Sequence, residues 1–261
     1  MIDPQDLVLQ TQDERGVLTL TLNRPAAFNS LSEGLLEALH GALQRAAGDD
    51  TVRVVVIAAA GKAFCAGHDL KEMRDEPSLP YYERLFMLCG RMMMSIQQLP
   101  VPVVARVQGI ATAAGCQLVA MCDLAVASRD AKFAVSGVNL GLFCSTPSVA
   151  LSRNLSRKAA FEMLVTGDFI DADEAREKGL VNRVVDAAEL DAEVEKLVAR
   201  IAAKPRVALA LGKALFYRQL EGGIAAAYDD AARTMACNMM DESALEGVQA
   251  FIEKRTPAWP A

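Results

Sequence analysis

Residues 52–60, VRVVVIAAA, are apolar and largely β-branched with a single charge, and Gly61 follows at once. A strand of that composition has no polar face to give to water. It must be covered on both sides, and the common solution is a largely parallel sheet with helices above and below. The preceding residues fit that plan. LVLQTQDERGVLTLTLN alternates apolar and polar residues on either side of DERG, which predicts a hairpin with Gly16 in the turn. Ser32 then stands as an N-cap before Leu35, Leu36, Leu39 and Leu43 at helical spacing. The predicted order is strand, helix, strand.

The alternation continues. A methionine-rich helix is expected from about Tyr81 to Gln98, ending at LPVP, and VVARV (residues 103–107) reads as the next strand. A run of small residues, ATAAGCQLVAMC (residues 111–122), leads into another helix, and LAVAS (residues 124–128) is a short strand. Strand, turn and helix in repetition imply an α/β fold, in which ligands collect at the carboxyl ends of the strands. From about Ser156 the chain turns helical. Asp171 with Glu174 forms a capping pattern, Gly179 closes that helix before LVNRVV, and four further helices follow. A division is placed near residue 200: residues 1–200 form the core with the ligand site, and residues 201–261 a helical region. Its apolar stripes need the core or a neighbouring subunit to cover them.

Composition narrows the function. The 261 residues are 52% hydrophobic, enough for a sizeable core, and the net charge of -6 comes with dispersed Lys and Arg rather than a basic stripe. Nucleic acid is therefore not an expected partner. The six cysteines form no CxxC pair, a pattern of reduced buried thiols in a cytosolic protein. The two histidines, His40 and His68, are too far apart for an HExxH pair, and no metal site is expected. MIDPQDLVLQ has neither a basic start nor an apolar core, and no apolar run approaches the roughly 18 residues of a membrane span. No membrane partner and a cytoplasmic location are the expectations.

Two small-residue turns stand where chemistry can occur: GKAFCAGHDLKEM after the first buried strand, and Ala111 to Gly115 after the second. Without large side chains, backbone N–H groups there can approach a ligand closely, and a helix N-terminus adds partial positive charge. Such a pair can bind phosphate or stabilise an oxyanion. Neither matches GxxxxGK[ST] or GxGxxG. The plainer reading of either turn alone is tight packing of helix on strand.

Several motifs in order, LNRPAAFNSLS, GKAFCAGHDLKEM, PVPVVARVQGIATAAGCQLVAMCDLAVAS, GDFIDADEAREKGLVNRVV and FIEKRTPAW, make nearly the whole chain resemble the enoyl-CoA hydratase/isomerase (crotonase) superfamily. TAAGCQLVA, SGVNLGLFCSTPSVAL and GKALFYRQL point to one branch of it. The resemblance implies a crotonase-type spiral of ββα units with a C-terminal helical oligomerisation region, assembled as a homotrimer or a dimer of trimers. It also implies an oxyanion hole for an acyl-CoA thioester, formed by the backbone N–H groups of His68 and Ala114. No permanently bound cofactor is implied; coenzyme A enters as part of the substrate. The positions matching the CoA contacts are Arg24, Ala26, the stretch Ala66, Gly67, His68, Asp69, Leu70 and Lys71, and Phe251 and Lys254 from an adjacent subunit. Lys71 and Lys254 also suit a solvated surface, and Phe251 ordinary helix packing.

Against that pattern, the two glutamates of the hydratases fall on Gln117 and Gly137, so both carboxylates are missing. Gln can orient a water but accepts no proton at neutral pH, and Gly offers no side chain. Positioned acids and bases contribute roughly 10²–10⁴-fold in rate, so hydration is expected to be very slow unless other groups substitute. Ser145 falls where some members carry an aspartate, with Ser136, Asn139 and Cys144 in the same loop; none is a strong base. Cys144 reads as a buried thiol, Asp69 as a helix cap, and His68 as a position valued for its N–H. Met87, Met92, Met93 and Met94 read as core, with an acyl-pocket role as the alternative. Two functions stay open: an enoyl-CoA hydratase/isomerase-like enzyme acting through the oxyanion hole, or a non-catalytic acyl-CoA binding or regulatory protein of fatty-acid metabolism. Writing Glu at both 117 and 137 is an informative change: hydration appearing only in that variant would trace its loss to the missing carboxylates.

Overall fold

The computed structural model describes residues 7–259; the first six residues of the MIDPQDLVLQ reading lie outside them. The hairpin forms as predicted: β1 (Val8–Gln12) pairs antiparallel with β2 (Val17–Leu22). Its turn needs glycine, because Gly16 has φ of 79° and a Cβ there would lie 2.2 Å from the Thr51 carbonyl oxygen. Ser32 caps α1 (Glu33–Ala47) by accepting the Leu35 N–H. The apolar run becomes β3 (Val54–Ala59), parallel to β2 and buried at all six positions.

Next come α2 (Leu70–Asp75), α3 (Leu79–Gln98), β4 (Val103–Val107), β5 (Ala111–Thr112) and α4 (Ala114–Met121). β6 (Leu124–Ser128) and β7 (Lys132–Ala134) follow, then α5 (Ser145–Asn154), α6 (Arg157–Thr166), β8 (Ile170–Asp171), α7 (Ala172–Glu177) and β9 (Arg183–Val185). The chain closes with α8 (Leu190–Ala202), α9 (Arg206–Leu220), α10 (Ile224–Met239) and α11 (Glu242–Ile252). The short strands β5, β7 and β8 were not foreseen, nor was α5, which forms in a stretch read as loop so that Ser145 opens a helix; α2 follows the cap read at Asp69.

A six-stranded sheet has the order β1-β2-β3-β4-β6-β9, and a three-stranded sheet the order β5-β7-β8. Successive turns of the chain visit both. β4 of the large sheet passes to β5 of the small one and into α4, and β6 passes to β7 and on to α5. Earlier turns do the same with single bridges, since Cys65 pairs with Ala111 and Leu31 with His68. Each turn is thus a strand in the large sheet, a brief pairing in a second layer, and a helix, which is the spiral of ββα units.

The large sheet is covered on both faces, as an unbroken apolar strand requires. On one side Leu20, Leu22, Val55 and Ile57 pack with Leu36 and Leu39 of α1 and with Met92 and Ile96 of α3. On the other, Val54, Val56, Val104 and Val126 pack with Leu190, Val194, Leu197 and Val198 of α8. Met92 and Met93 are core, as read, whereas Met87 and Met94 are exposed. α9 is pinned by a buried cation: Lys213 Nζ donates to the Ile96 and Val101 carbonyls and sits 2.6 Å from Asp123 Oδ2, while the Tyr217 hydroxyl donates to Asp123 Oδ1. Beyond that anchor, α10 has no buried residue and α11 only Ala250.

Candidate active site

The two small-residue turns meet. The first, Cys65–Asp69, leaves the Cys65 bridge and enters α2, and the second, Thr112–Gly115, leaves β5 and enters α4. Phe64 and Cys65 donate to the Ile110 carbonyl, and Thr112 donates back to Cys65 at 3.0 Å. Two glycines allow the approach. A Cβ on Gly115 would sit 2.1 Å from the Cys65 oxygen, and one on Gly67 would sit 2.9 Å from Ala113 Cβ and 3.3 Å from the Ala114 nitrogen.

Most N–H groups in these turns are spent: Ala66 on Phe28, Asp69 on Leu31, Thr112 on Cys65, and Ala113 on Ala134. Those of Gly67, His68, Ala114 and Gly115 have no backbone acceptor among the described residues, and the Gly67 N–H faces the Cys65 thiol. Ala114 is the first residue of α4, where the N–H has no partner within the helix. The residue before it carries the strain of the turn. Ala113 has φ 50° and ψ -120°, a conformation L residues rarely adopt, costing of order 1–3 kcal/mol.

Of these four, His68 and Ala114 are the ones that line a cavity of about 320 Å³. Of the residues expected at the site, Ala66, His68, Leu70, Ala114, Gly137 and Ser145 line it. Met73, Phe86, Leu142 and Phe143 also line it and were not foreseen as site residues, and so does Cys144, which was read as a buried thiol. LGLFC, apolar side chains within a glycine-bearing segment, was the available signal for Leu142 and Phe143; Met73 and Phe86 come from helix faces that the sequence does not mark.

Among the described residues lining the cavity there is no Asp, Glu, Lys or Arg. The His68 ring packs edge-on against Phe86, with centroids 5.3 Å apart, and both its nitrogens are buried without a hydrogen-bond partner. Burial lowers its pKa to about 4, with the Leu31 backbone opposing only weakly, so the imidazole is neutral at pH 7. Burial also raises the Cys144 thiol above its ordinary range, against a smaller opposing effect of the Gly137 N–H.

Gln117 lies one turn into α4, outside the cavity lining, with its Oε1 buried and unpartnered. Gly137 does line the cavity, in the 3₁₀ turn Ser136–Leu140, but has no room for a side chain. A Cβ there would meet the Leu142 carbonyl oxygen at 2.5 Å and Cys144 Sγ at 2.7 Å. A restoring glutamate at 137 is thus opposed by Leu142 and Cys144, which fill the space.

An adjoining groove of about 580 Å³ is lined by Arg24, Ala26, Asp69, Leu70 and Lys71, and Leu70 borders both spaces. Asp69 is the cap it was read as: its carboxylate accepts the Lys71 and Glu72 N–H groups and pairs with Arg24 at 2.9 Å. Burial alone would raise its pKa, but Arg24 and the capping N–H groups outweigh that and lower it. Phe251 and Lys254 line neither space in this chain. Phe251 is 84% exposed, against the packing reading, and Lys254 is exposed with φ of 56°.

The profile of the enoyl-CoA hydratase/isomerase family matches residues 12–261. The chain belongs to that family.

Among family members, mouse enoyl-CoA hydratase domain-containing protein 3, mitochondrial, is 44% identical over 249 residues, covering 95% of this chain and 83% of the relative. The crystal structure of the human protein of that name superposes with a TM-score of 0.94 at 43% identity, covering 97% of this chain and 100% of the other. A crystal structure of an enoyl-CoA hydratase from Mycobacterium smegmatis gives a TM-score of 0.96 at 70% identity, covering 97% and 98%. The branch suggested by TAAGCQLVA and GKALFYRQL is that of the mouse and human relatives. The mouse and human relatives are named as mitochondrial proteins, which overturns the cytoplasmic expectation. Among the described residues, no helix is long and apolar enough to cross a membrane.

Proposed function

We propose that this family member binds acyl-CoA thioesters and stabilises the enolate oxygen through the N–H groups of His68 and Ala114. The observation that carries the reading is the pair of unspent N–H donors on touching turns, lining one cavity. As charge moves onto the thioester oxygen, two preorganised donors strengthen; removal of one such donor in other enzymes costs roughly 2.7–4 kcal/mol in the transition state. The apolar cavity holds the acyl chain. The groove of Arg24, Ala26, Asp69, Leu70 and Lys71 holds the CoA moiety, with Phe251 and Lys254 reaching it from a neighbouring copy. Coenzyme A is part of the ligand and no metal takes part.

The division near residue 200 assigns acyl-CoA binding to residues 1–200 and assembly to 201–261. Exposure of Phe216 (57%), Ile224 (78%), Tyr228 (72%) and Met240 (79%) supports a homotrimer or dimer of trimers built on the terminal helices.

A second reading, acyl-CoA binding without catalysis, is favoured by the absence of a proton-transfer group from the described cavity lining. The test has two parts. Calorimetric titration with a non-reactive acyl-CoA is expected to show one site per chain, and no heat at near-millimolar ligand would remove both readings. Turnover of a panel of enoyl-CoAs then separates them: hydration or a double-bond shift above buffer supports an enzyme of the hydratase/isomerase type.

A further inference from the structure

Resting on the acyl-CoA reading, we infer that the substrates of this site are 2-carboxyacyl-CoA thioesters, of the malonyl type, and that the reaction is their decarboxylation. A thioester enolate can form by loss of a proton from Cα, by addition of a nucleophile at Cβ, or by loss of an electrophile from Cα. The first needs a base and the second an activated water or thiol. The third needs only a place for the charge.

The described lining of the cavity contains no carboxylate or amine, and both nitrogens of His68 are buried without a hydrogen-bond partner, the ring edge-on to Phe86. Cys144, the remaining candidate nucleophile, is a buried thiol packed so closely against residue 137 that a Cβ there would meet Sγ at 2.7 Å. The same contact means that no simple side chain at 137 supplies the missing group. What the site retains is the pair of oxyanion donors.

The lining also suits this chemistry. Leu70, Met73, Phe86, Leu142 and Phe143 surround a bound acyl group with apolar surface. A carboxylate held there loses its hydration, and the reaction carries its charge to the thioester oxygen, where the two N–H groups wait, while neutral CO2 departs. The hydroxyl of Ser136, 3.1 Å from that of Thr112, offers a hydrogen bond that orients the carboxylate without a full countercharge.

The step balances without a co-reactant other than water. The bond between Cα and the carboxylate carbon breaks, and its electron pair forms the Cα=C bond of the enolate as the carbonyl pair moves to oxygen. Water then protonates Cα, and the hydroxide left combines with CO2 as bicarbonate. The net products are the shorter acyl-CoA and bicarbonate.

The experiment incubates the full-length protein with malonyl-CoA, methylmalonyl-CoA and crotonyl-CoA, with products read by mass spectrometry in H2O and D2O. Binding of a non-reactive acyl-CoA thioether is measured alongside. Expected are acetyl-CoA and propionyl-CoA above the buffer blank, one deuterium at Cα in D2O, and unchanged crotonyl-CoA. Gly67→Ala, which pushes the two donor turns apart, should lower the rate roughly 10²-fold. Leu142→Trp, which fills the cavity from a half-exposed position, should abolish turnover should Gly67→Ala not fold. Thioether binding without decarboxylation overturns this inference and leaves the acyl-CoA reading standing; loss of both overturns both. Decarboxylation undiminished in the folded variants overturns the assignment to this cavity.

Discussion

Ala113 shows at the scale of one residue how the site is built and what it costs. Its positive φ turns the chain so that the next N–H, that of Ala114, is left unpaired at the head of α4. Ala113→Gly should relieve that strain, while glycine's extra freedom in the unfolded chain offsets part of the gain. The expected outcome is a net stabilisation of about 1 kcal/mol in urea unfolding. His68 makes the complementary point, that the backbone serves the site and the side chain the packing. Its folded pKa, about 4, lies below the 6.5 of an unperturbed imidazole. As pH falls through 6.5 the unfolded chain takes up the proton first, so stability drops between pH 6.5 and 4 and levels off below. The full loss is of order 3 kcal/mol. His68→Leu keeps the N–H, so it should flatten that pH dependence in unfolding curves while acyl-CoA affinity stays within a few-fold.

At the scale of elements, the sequence was most legible where one periodicity held. VVARV and LAVAS became β4 and β6 at the residues predicted, because a strand buried on both faces leaves no doubt about its ends. The hairpin, the Ser32 and Asp171 caps and the four terminal helices were equally readable, since each carries its own local signal. α5 was not. Its STPSVALSRN begins with Ser, Thr and Pro and buries only Pro147, Ala150 and Leu151, too few apolar positions for a helical period to stand out. The same segment hid part of the site, because the crowding of Gly137 by Leu142 and Cys144 is a property of the folded loop. From that crowding, the double variant Gln117→Glu, Gly137→Glu should gain no crotonyl-CoA hydration in a continuous absorbance assay. The overpacking should also lower its stability by about 1–3 kcal/mol.

For the molecule as a whole, the resemblance read from five motifs gave the family and the spiral, and the two turns read as a candidate ligand site come together in the structure. What the sequence did not reveal was that the cavity between them is apolar on almost every side. The terminal helices set the remaining question of assembly. Phe216, Ile224, Tyr228, Met240 and Phe251 are each more than half exposed, and the proposed trimer would cover such apolar surface. Light scattering on the eluting protein should give three or six times the 28.0 kDa of one chain. Replacing Ile224 and Tyr228 by Asp should shift it toward the protomer mass.

Isotope-edited infrared spectroscopy of a non-hydrolysing protein complex with an acyl-CoA labelled with ¹³C at the thioester carbonyl tests the paired donors most directly. Two hydrogen bonds from His68 and Ala114 polarise that carbonyl, so its stretch should fall to lower frequency on binding, with a smaller fall in Gly67→Ala. A bound thioester whose carbonyl stretch stays at its solution frequency or rises would contradict the account.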